Sequence, residues 1–149
     1  LNITDNRMWR FFGNFGKGFC VGYDPELMFP PNTLTFGEVD YFKNGEFPSV
    51  SVIHRNSDER MKDVMTNLFS LRAKFRYQQE FRFTKMGLFN EDDRIFTIPI
   101  EAHKNIVLGA NITNKHKTEI LDAKRQHLPH VNVFQFKRNG KDFVCSQIE

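Results

Sequence analysis

The sequence predicts an α+β fold in a single domain over residues 1–149, with about seven strands and three helices and a largely antiparallel sheet. Three observations carry that expectation. Strand-like segments follow one another more often than they alternate with helices. One segment, from Ser57 to about Lys74, carries Met61, Val64, Met65, Leu68, Leu71 and Phe75 at spacings of three and four, a single apolar stripe at the helical period. Asn139-Gly140 lies between two strand-like segments, a strong hairpin signal.

Taken in order, Asp5 to Gly13 reads as a short helix. The Asp5 carboxylate can accept the orphan N–H groups of the first turn, and Gly13 suits a left-handed stop. Gly18 to Tyr23 reads as a strand ended by Asp24-Pro25, and Glu26 to Thr35, with Pro30-Pro31, as loop. Glu38–Phe42 and Ser49–His54 read as strands joined through an Asn44-Gly45 turn. Asn56 or Ser57 caps the long helix, and Asp58 and Glu59 suit the positive end of its dipole.

Beyond it, alternation at period two puts Glu80, Arg82 and Thr84 on one strand face and Phe81 and Phe83 on the other. Asn90–Asp93 reads as a polar turn, Arg94–Ile100 as a strand, and Ile106–Leu108 as a short strand ended by Gly109. A helix from about Lys115 to Leu128, capped by Thr113 or Asn114, precedes the strands Val131–Phe136 and Asp142–Ile148.

Composition bounds the class. Phe supplies 17 of the aromatic residues against 3 Tyr and 1 Trp. Phe carries no polar handle, so a phenylalanine-rich core is expected. Cys20 and Cys145 are too few for a disulfide framework and point to free thiols in a reducing, cytoplasmic setting. No apolar run approaches the ~18 residues of a membrane span, so no membrane partner is expected. Net charge is uneven: −1 over residues 1–101 and +4 over residues 102–149. Lys115, Lys117, Lys124, Arg125, Lys137, Arg138 and Lys141 therefore offer nucleic-acid phosphates a contact surface. A solvated helix face and hairpin tip is the competing reading.

Several motifs fail on inspection. Gly13-Asn14-Phe15-Gly16-Lys17-Gly18 lacks the Ser or Thr after Lys, the preceding strand and the following helix of a phosphate loop, so a tight helix-to-strand turn is expected. His127 and His130 flank Pro129 with no Cys nearby, and no metal is expected. Cys20 sits in an apolar strand, where a thiol is inert. The segment Gln78-Gln79-Glu80-Phe81-Arg82 is richer. On a strand, Gln78, Glu80 and Arg82 would share a face, placing an amide, a carboxylate and a guanidinium in a row. Such a carboxylate can accept a hydrogen bond from a sugar hydroxyl and stabilise positive charge at an anomeric carbon. A charged edge-strand ladder is the competing reading.

One ordered set of motifs runs over about residues 5–111: Met8-Trp9, Phe12, Lys17-Gly18-Phe19-Cys20 and Asp24, then Val39-Asp40-Tyr41, then Phe75 and Gln78-Gln79-Glu80-Phe81-Arg82, then Ile98-Pro99-Ile100 and Ile106-Val107-Leu108-Gly109. Together these resemble an uncharacterised bacterial family, domain of unknown function twenty-nine seventy-one. Phe12, Gly16 and Gln78 stand where the family has Tyr, His and Glu. Family members carry a further amino-terminal half, so residues 1–149 are expected to be a truncated or carboxy-terminal portion. The motif order is also similar to that of ADP-ribosyltransferases, whose last motif is Glu/Gln-x-Glu. By that likeness Glu80 is the glutamate that binds a ribose hydroxyl of NAD and Gln78 the acceptor-side residue. Arg82, Trp9 and Phe12 are expected on the cofactor side, with Phe12 in the place of a stacking Tyr. The resemblance thus implies an ADP-ribosyltransferase-like domain, active or decayed, that uses NAD. The alternative is a nucleic-acid or protein binding module with a basic last third and no catalysis.

Overall fold

A computed structural model describes residues 5–28, 35–49, 56–84, 90, 95, 97–139 and 142–149, with residues 138–139 and 142–143 described as backbone only. The expected strand over 50–54, the turn over 91–93, the hairpin tip at Gly140-Lys141 and the Arg138 side chain lie outside the described residues. The chain is mixed α/β and divides into two compact units. One unit comprises residues 3–33 and 87–149; the other comprises residues 34–86 with 1–2.

The first unit contains α1 (Asn6–Phe11), β1 (Phe19–Tyr23), α2 (Pro25–Met28), β6 (His103–Leu108), α4 (Asn114–His127), β7 (Asn132–Asn139) and β8 (Asp142–Gln147). Its four-stranded sheet has the order β1-β6-β7-β8. The β1–β6 and β7–β8 pairs are antiparallel, whereas β6 and β7 run parallel because α4 carries the chain back between them. Alternation along the strands builds a core on each face. Ile106, Leu108, Val131 and Val133 pack with Ile120, Leu121 and Leu128, the apolar residues at the helix end of the crossover. Trp9, Val107 and Phe136 pack with Cys20, Phe134 and Cys145 on the other side of the alternation. Burial raises the Cys20 and Cys145 thiols above the ordinary range, which keeps both protonated near neutral pH. The buried amide of Gln135 is satisfied: it donates to the Gly109 carbonyl at 2.9 Å and accepts from Lys117 at 3.1 Å.

Caps form where short polar side chains precede apolar periodicity. Asp5 accepts from the Arg7 N–H at 2.8 Å, and Thr113 from the His116 N–H at 3.3 Å. Gly13 is not the left-handed stop expected of it, since the positive φ angles fall later, at Asn14, Phe15 and Gly16. Gly13 is required for space instead: a Cβ there would lie 2.6 Å from the Trp9 ring. The expected loop after Asp24 opens with α2, whose Glu26 N–H is capped by the Asp24 carboxylate at 3.0 Å. Ile95 and Thr97–Pro99 are not strand, and Ile100–Ala102 form a 3-10 turn into β6.

The second unit contains β2 (Thr35–Glu38), β3 (Asp40–Phe42), α3 (Ser57–Leu68), β4 (Ser70–Arg72), a 3-10 turn (Ala73–Gln78) and β5 (Phe81–Thr84). The antiparallel β2–β5 pair and the parallel β3–β4 pair are separate two-stranded sheets. Two of the five pairings in the chain are therefore parallel among the described residues, and each has a helix between its strands. With eight strands in three sheets among the described residues, the single large antiparallel sheet expected from sequence is not the arrangement. The helix ends at Leu68, not Lys74, because the Ser70 hydroxyl donates to the Thr66 carbonyl and the Arg82 guanidinium to the Leu68 carbonyl.

The expected phenylalanine core is also corrected. Phe136 is fully buried, but Phe11, Phe12, Phe15, Phe19, Phe36, Phe47, Phe81 and Phe83 are exposed. Phe36, Phe81 and Phe83 associate across β2 and β5, with ring centroids 5.1–6.3 Å apart, on the more open face of that ladder. No helix among the described residues is long and apolar enough to cross a membrane.

One consequence is measurable. Arg125 on α4 bonds the Glu149 carboxylate through Nε at 2.8 Å, fastening the segment after β8 to the helix. That hydrogen bond holds the Glu149 carboxyl below its ordinary range, against a smaller upward push from desolvation. A lowered folded-state value gives stability that is present above the unfolded pKa and lost as pH falls through the folded one. Glu149→Gln is therefore expected to be less stable than the wild type at pH 7 and to converge with it as pH drops below the carboxylate range. Urea midpoints measured across pH check this.

Candidate functional site

The carboxylate singled out in the sequence stands at a cleft of about 500 Å³ within the second unit. Glu80 joins the 3-10 turn to β5, and its backbone is anchored at both ends. Its N–H donates to the Tyr41 hydroxyl at 2.8 Å, and its carbonyl accepts from the Val39 N–H at 3.0 Å. Its carboxylate is fixed side-on by Arg82, with Nε to Oε1 at 2.5 Å and Nη2 to Oε2 at 3.2 Å. Arg82 also donates through Nη1 to the Leu68 carbonyl at the end of α3. The carboxylate thus has one orientation, set by a guanidinium that a helix terminus holds in turn.

The amide expected beside it is elsewhere. Gln78 ends the 3-10 turn, and Gln79 then takes a left-handed φ of 45°, so alternation cannot extend back from β5 through residue 78. Gln78, Glu80 and Arg82 do not share one strand face. Gln79, not Gln78, lines the cleft with Glu80, and Arg82 supports the carboxylate from outside the described lining. Sequence reasoning missed Arg76, which also lines the cleft and donates to the Tyr41 carbonyl at 3.3 Å. Tyr41 stood in the Val39-Asp40-Tyr41 strand without an assigned role, and its hydroxyl is what seats Glu80. Glu38 and Phe81 complete the wall. The cleft therefore combines two carboxylates, a guanidinium, an amide and two aromatic rings, and its volume falls within the range of small-molecule sites.

Trp9 and Phe12 belong to the first unit. Trp9 is 6% exposed and stacks on Phe136 at 5.4 Å with a 21° interplanar angle. Phe12 follows the last turn of α1 and is 66% exposed. Trp9 lines a separate cavity of about 300 Å³ within that unit; Phe12 is not among its described lining residues. Phe15 and Gly16 of the segment Gly13–Gly18, the tight helix-to-strand turn expected, contribute to its lining. The conformation of that turn is unusual. Asn14, Phe15 and Gly16 have φ of 48°, 56° and 79° in succession. A Phe in this region costs about 1–2 kcal/mol relative to its relaxed backbone. Asn111 holds it there, donating from Nδ2 to the Phe15 carbonyl and from its backbone N–H to the Gly16 carbonyl, both at 2.8 Å.

Several basic residues of the last third are engaged within the fold. Lys124 is buried, Lys117 bonds Gln135, and Arg125 bonds Glu149 and Asp122. Lys115 and Lys137 are exposed. His130 contacts the His103 carbonyl at 3.2 Å, and among the described residues no three His, Cys, Asp or Glu side chains gather as metal ligands. Compared with family models, with curated proteins and with solved structures, the chain finds no match in any of the three.

Proposed function

We propose that the Glu80 cleft binds the ribose of a nucleotide and that NAD is its substrate, in an ADP-ribosyltransferase-like role. The observation that carries this reading is a carboxylate fixed side-on by Arg82 at the wall of a 500 Å³ cleft that also contains Arg76. A carboxylate held this way retains lone pairs for ribose hydroxyls and places negative charge where an anomeric carbon develops positive charge. Because its orientation is set before a ligand arrives, no reorganisation is needed when charge develops. Arg76 supplies the cation for a pyrophosphate, and the Tyr41 and Phe81 rings offer flat walls to a base or to nicotinamide. In transfer, the bond between the anomeric carbon and the nicotinamide nitrogen breaks, and its electron pair returns to the nicotinamide ring. The acceptor's nucleophilic atom bonds the same carbon and releases its proton, for which Glu38 is a base within the cleft lining.

Calorimetric titration with ADP-ribose and NAD tests binding, and release of labelled nicotinamide tests turnover. Glu80→Gln is expected to weaken ADP-ribose binding about tenfold, the loss of a charge-assisted hydrogen bond, and to reduce nicotinamide release by a larger factor. Arg76→Gln, on an exposed side chain that leaves the Glu80–Arg82 pair intact, is expected to weaken binding of ADP-ribose but not of ribose. Absence of any NAD or ADP-ribose binding by the folded wild type, or binding indifferent to both substitutions, overturns the reading.

A further inference from the structure

The described lining of the cavity beside Trp9 belongs to the first unit and shares no residue with that of the Glu80 cleft. Its inner wall is the small accessible part of Trp9, backed by Phe136, which is fully buried and stacks nearly parallel on the indole. At its rim stands Phe15, 63% exposed. The placement of Phe15 is not a default of the chain. Three successive left-handed residues present it, and Asn111 pins two consecutive carbonyls within that bend, those of Phe15 and Gly16. Left-handed backbone at a bulky residue persists only where surrounding structure enforces it, and such positions cluster at ligand sites. Among the described lining residues the polar ones are Arg10, Asn6 and Asn111, one cation and two amides with no acidic side chain. Arg10 lies on the exposed side of α1.

We infer that this cavity is a binding site for a planar aromatic ring that carries one anionic group. The ring packs against the open face of Phe15 and the small accessible part of Trp9, where offset or edge-to-face contact is favourable. The anionic group meets the Arg10 guanidinium at the open side, where a fork of donors suits carboxylate or phosphate alike. A volume of about 300 Å³ is at the small end of ligand sites and suits one ring system with its substituent. Two sources share this chemistry, an aromatic carboxylate and a nucleoside monophosphate.

Trp9 is the single tryptophan of the chain, so its indole N–H gives one cross-peak in a proton–nitrogen correlation spectrum and reports this cavity alone. The probes are 2-naphthoate and AMP, with 2-naphthamide as the ring without charge and cyclohexanecarboxylate as the charge without an aromatic ring. A saturable shift of the Trp9 peak is expected with 2-naphthoate, with AMP or with both, and which of the two binds identifies the source. Either control should bind at least tenfold more weakly, and Arg10→Gln should weaken the bound probe at least tenfold.

Phe15→Asn separates recognition from folding. Asn tolerates left-handed backbone, so the urea midpoint of this variant should equal or exceed that of the wild type, while probe affinity falls at least tenfold. A wild-type Trp9 peak that shifts with neither probe overturns the proposal. Equal binding of 2-naphthamide, unchanged affinity in Arg10→Gln, or unchanged affinity in Phe15→Asn does so as well.

Discussion

Gly109→Ala is expected to cost about 3–5 kcal/mol of stability, at the upper end of single-residue effects. A Cβ at this position would stand 2.6 Å from the Gly16 carbonyl carbon and 2.8 Å from the Gly18 oxygen, and closer still to the Gly16 oxygen. All three atoms are backbone, so no side chain can rotate out of the way. The backbone cannot retreat cheaply either. The Gly109 N–H donates to the Gly18 carbonyl at 2.9 Å, and the Asn111 N–H to the Gly16 carbonyl at 2.8 Å. Any shift that admits the methyl group stretches both bonds and disturbs the bend that presents Phe15. Urea denaturation followed by Trp9 fluorescence checks this, and a variant within 0.5 kcal/mol of the wild type would show the approach to be looser than described.

What could be read from the sequence was local, and what could not was set by partners far along the chain. The caps at Asp5 and Thr113 were legible because each depends on a side chain two or three residues from the N–H it satisfies. The strand ending at Gly109 and the helix running from Asn114 to His127 were legible for the same reason, with apolar period and boundary residue adjacent. The end of α3 was not. Leu71 and Phe75 continue the apolar period past it, and part of what stops the helix is Arg82, fourteen residues beyond Leu68. The expected strand Glu38–Phe42 is broken at Val39: Glu38 ends β2, which begins back at Thr35 where loop was expected, and the rest forms β3, because the two pair with different partners, β5 and β4, which no local pattern encodes.

The site was legible to the same extent. Glu80 and Arg82 were found as neighbours because charges two apart on an extended chain lie on one side. Gln78 was misplaced because a left-handed Gln79 carries no sequence signature; it is neither Gly nor Asn. Phe15 was passed over for the converse reason. In a turn rich in glycine, the informative residue is the one that adopts the glycine conformation without its freedom, and nothing in its identity marks it.

Arg82→Met should destabilise the chain by about 2–3 kcal/mol, since hydrogen bonds to charged groups are each worth about 1.5–3 kcal/mol and water reaches part of this pair. The Arg82 side chain is 26% exposed and that of Glu80 32%, so the lost contacts are partly replaced by solvent. Met keeps much of the aliphatic stem and removes only the fork. What the fork does is join three atoms: both Glu80 oxygens and the Leu68 carbonyl at the end of α3. A lysine ammonium has no planar fork to reach the helix end and both carboxylate oxygens together, so Arg82→Lys should recover part of the loss and not all of it.

The double variant Glu80→Gln/Arg82→Met then separates the two functions of the arginine. If orientation of the carboxylate is the larger part, the two single effects will couple by about 1–2 kcal/mol, as contacting residues in one network do. If capping of α3 dominates, the effects will add. The consequence for the cleft differs between these cases. In the first, Arg82→Met frees Glu80 to rotate and should lower ADP-ribose affinity at temperatures where the variant remains folded. In the second, affinity should follow the folded fraction alone. A cost below 0.5 kcal/mol, or full recovery by lysine, would mean that the carboxylate is held by the backbone bonds to Tyr41 and Val39 and not by the guanidinium.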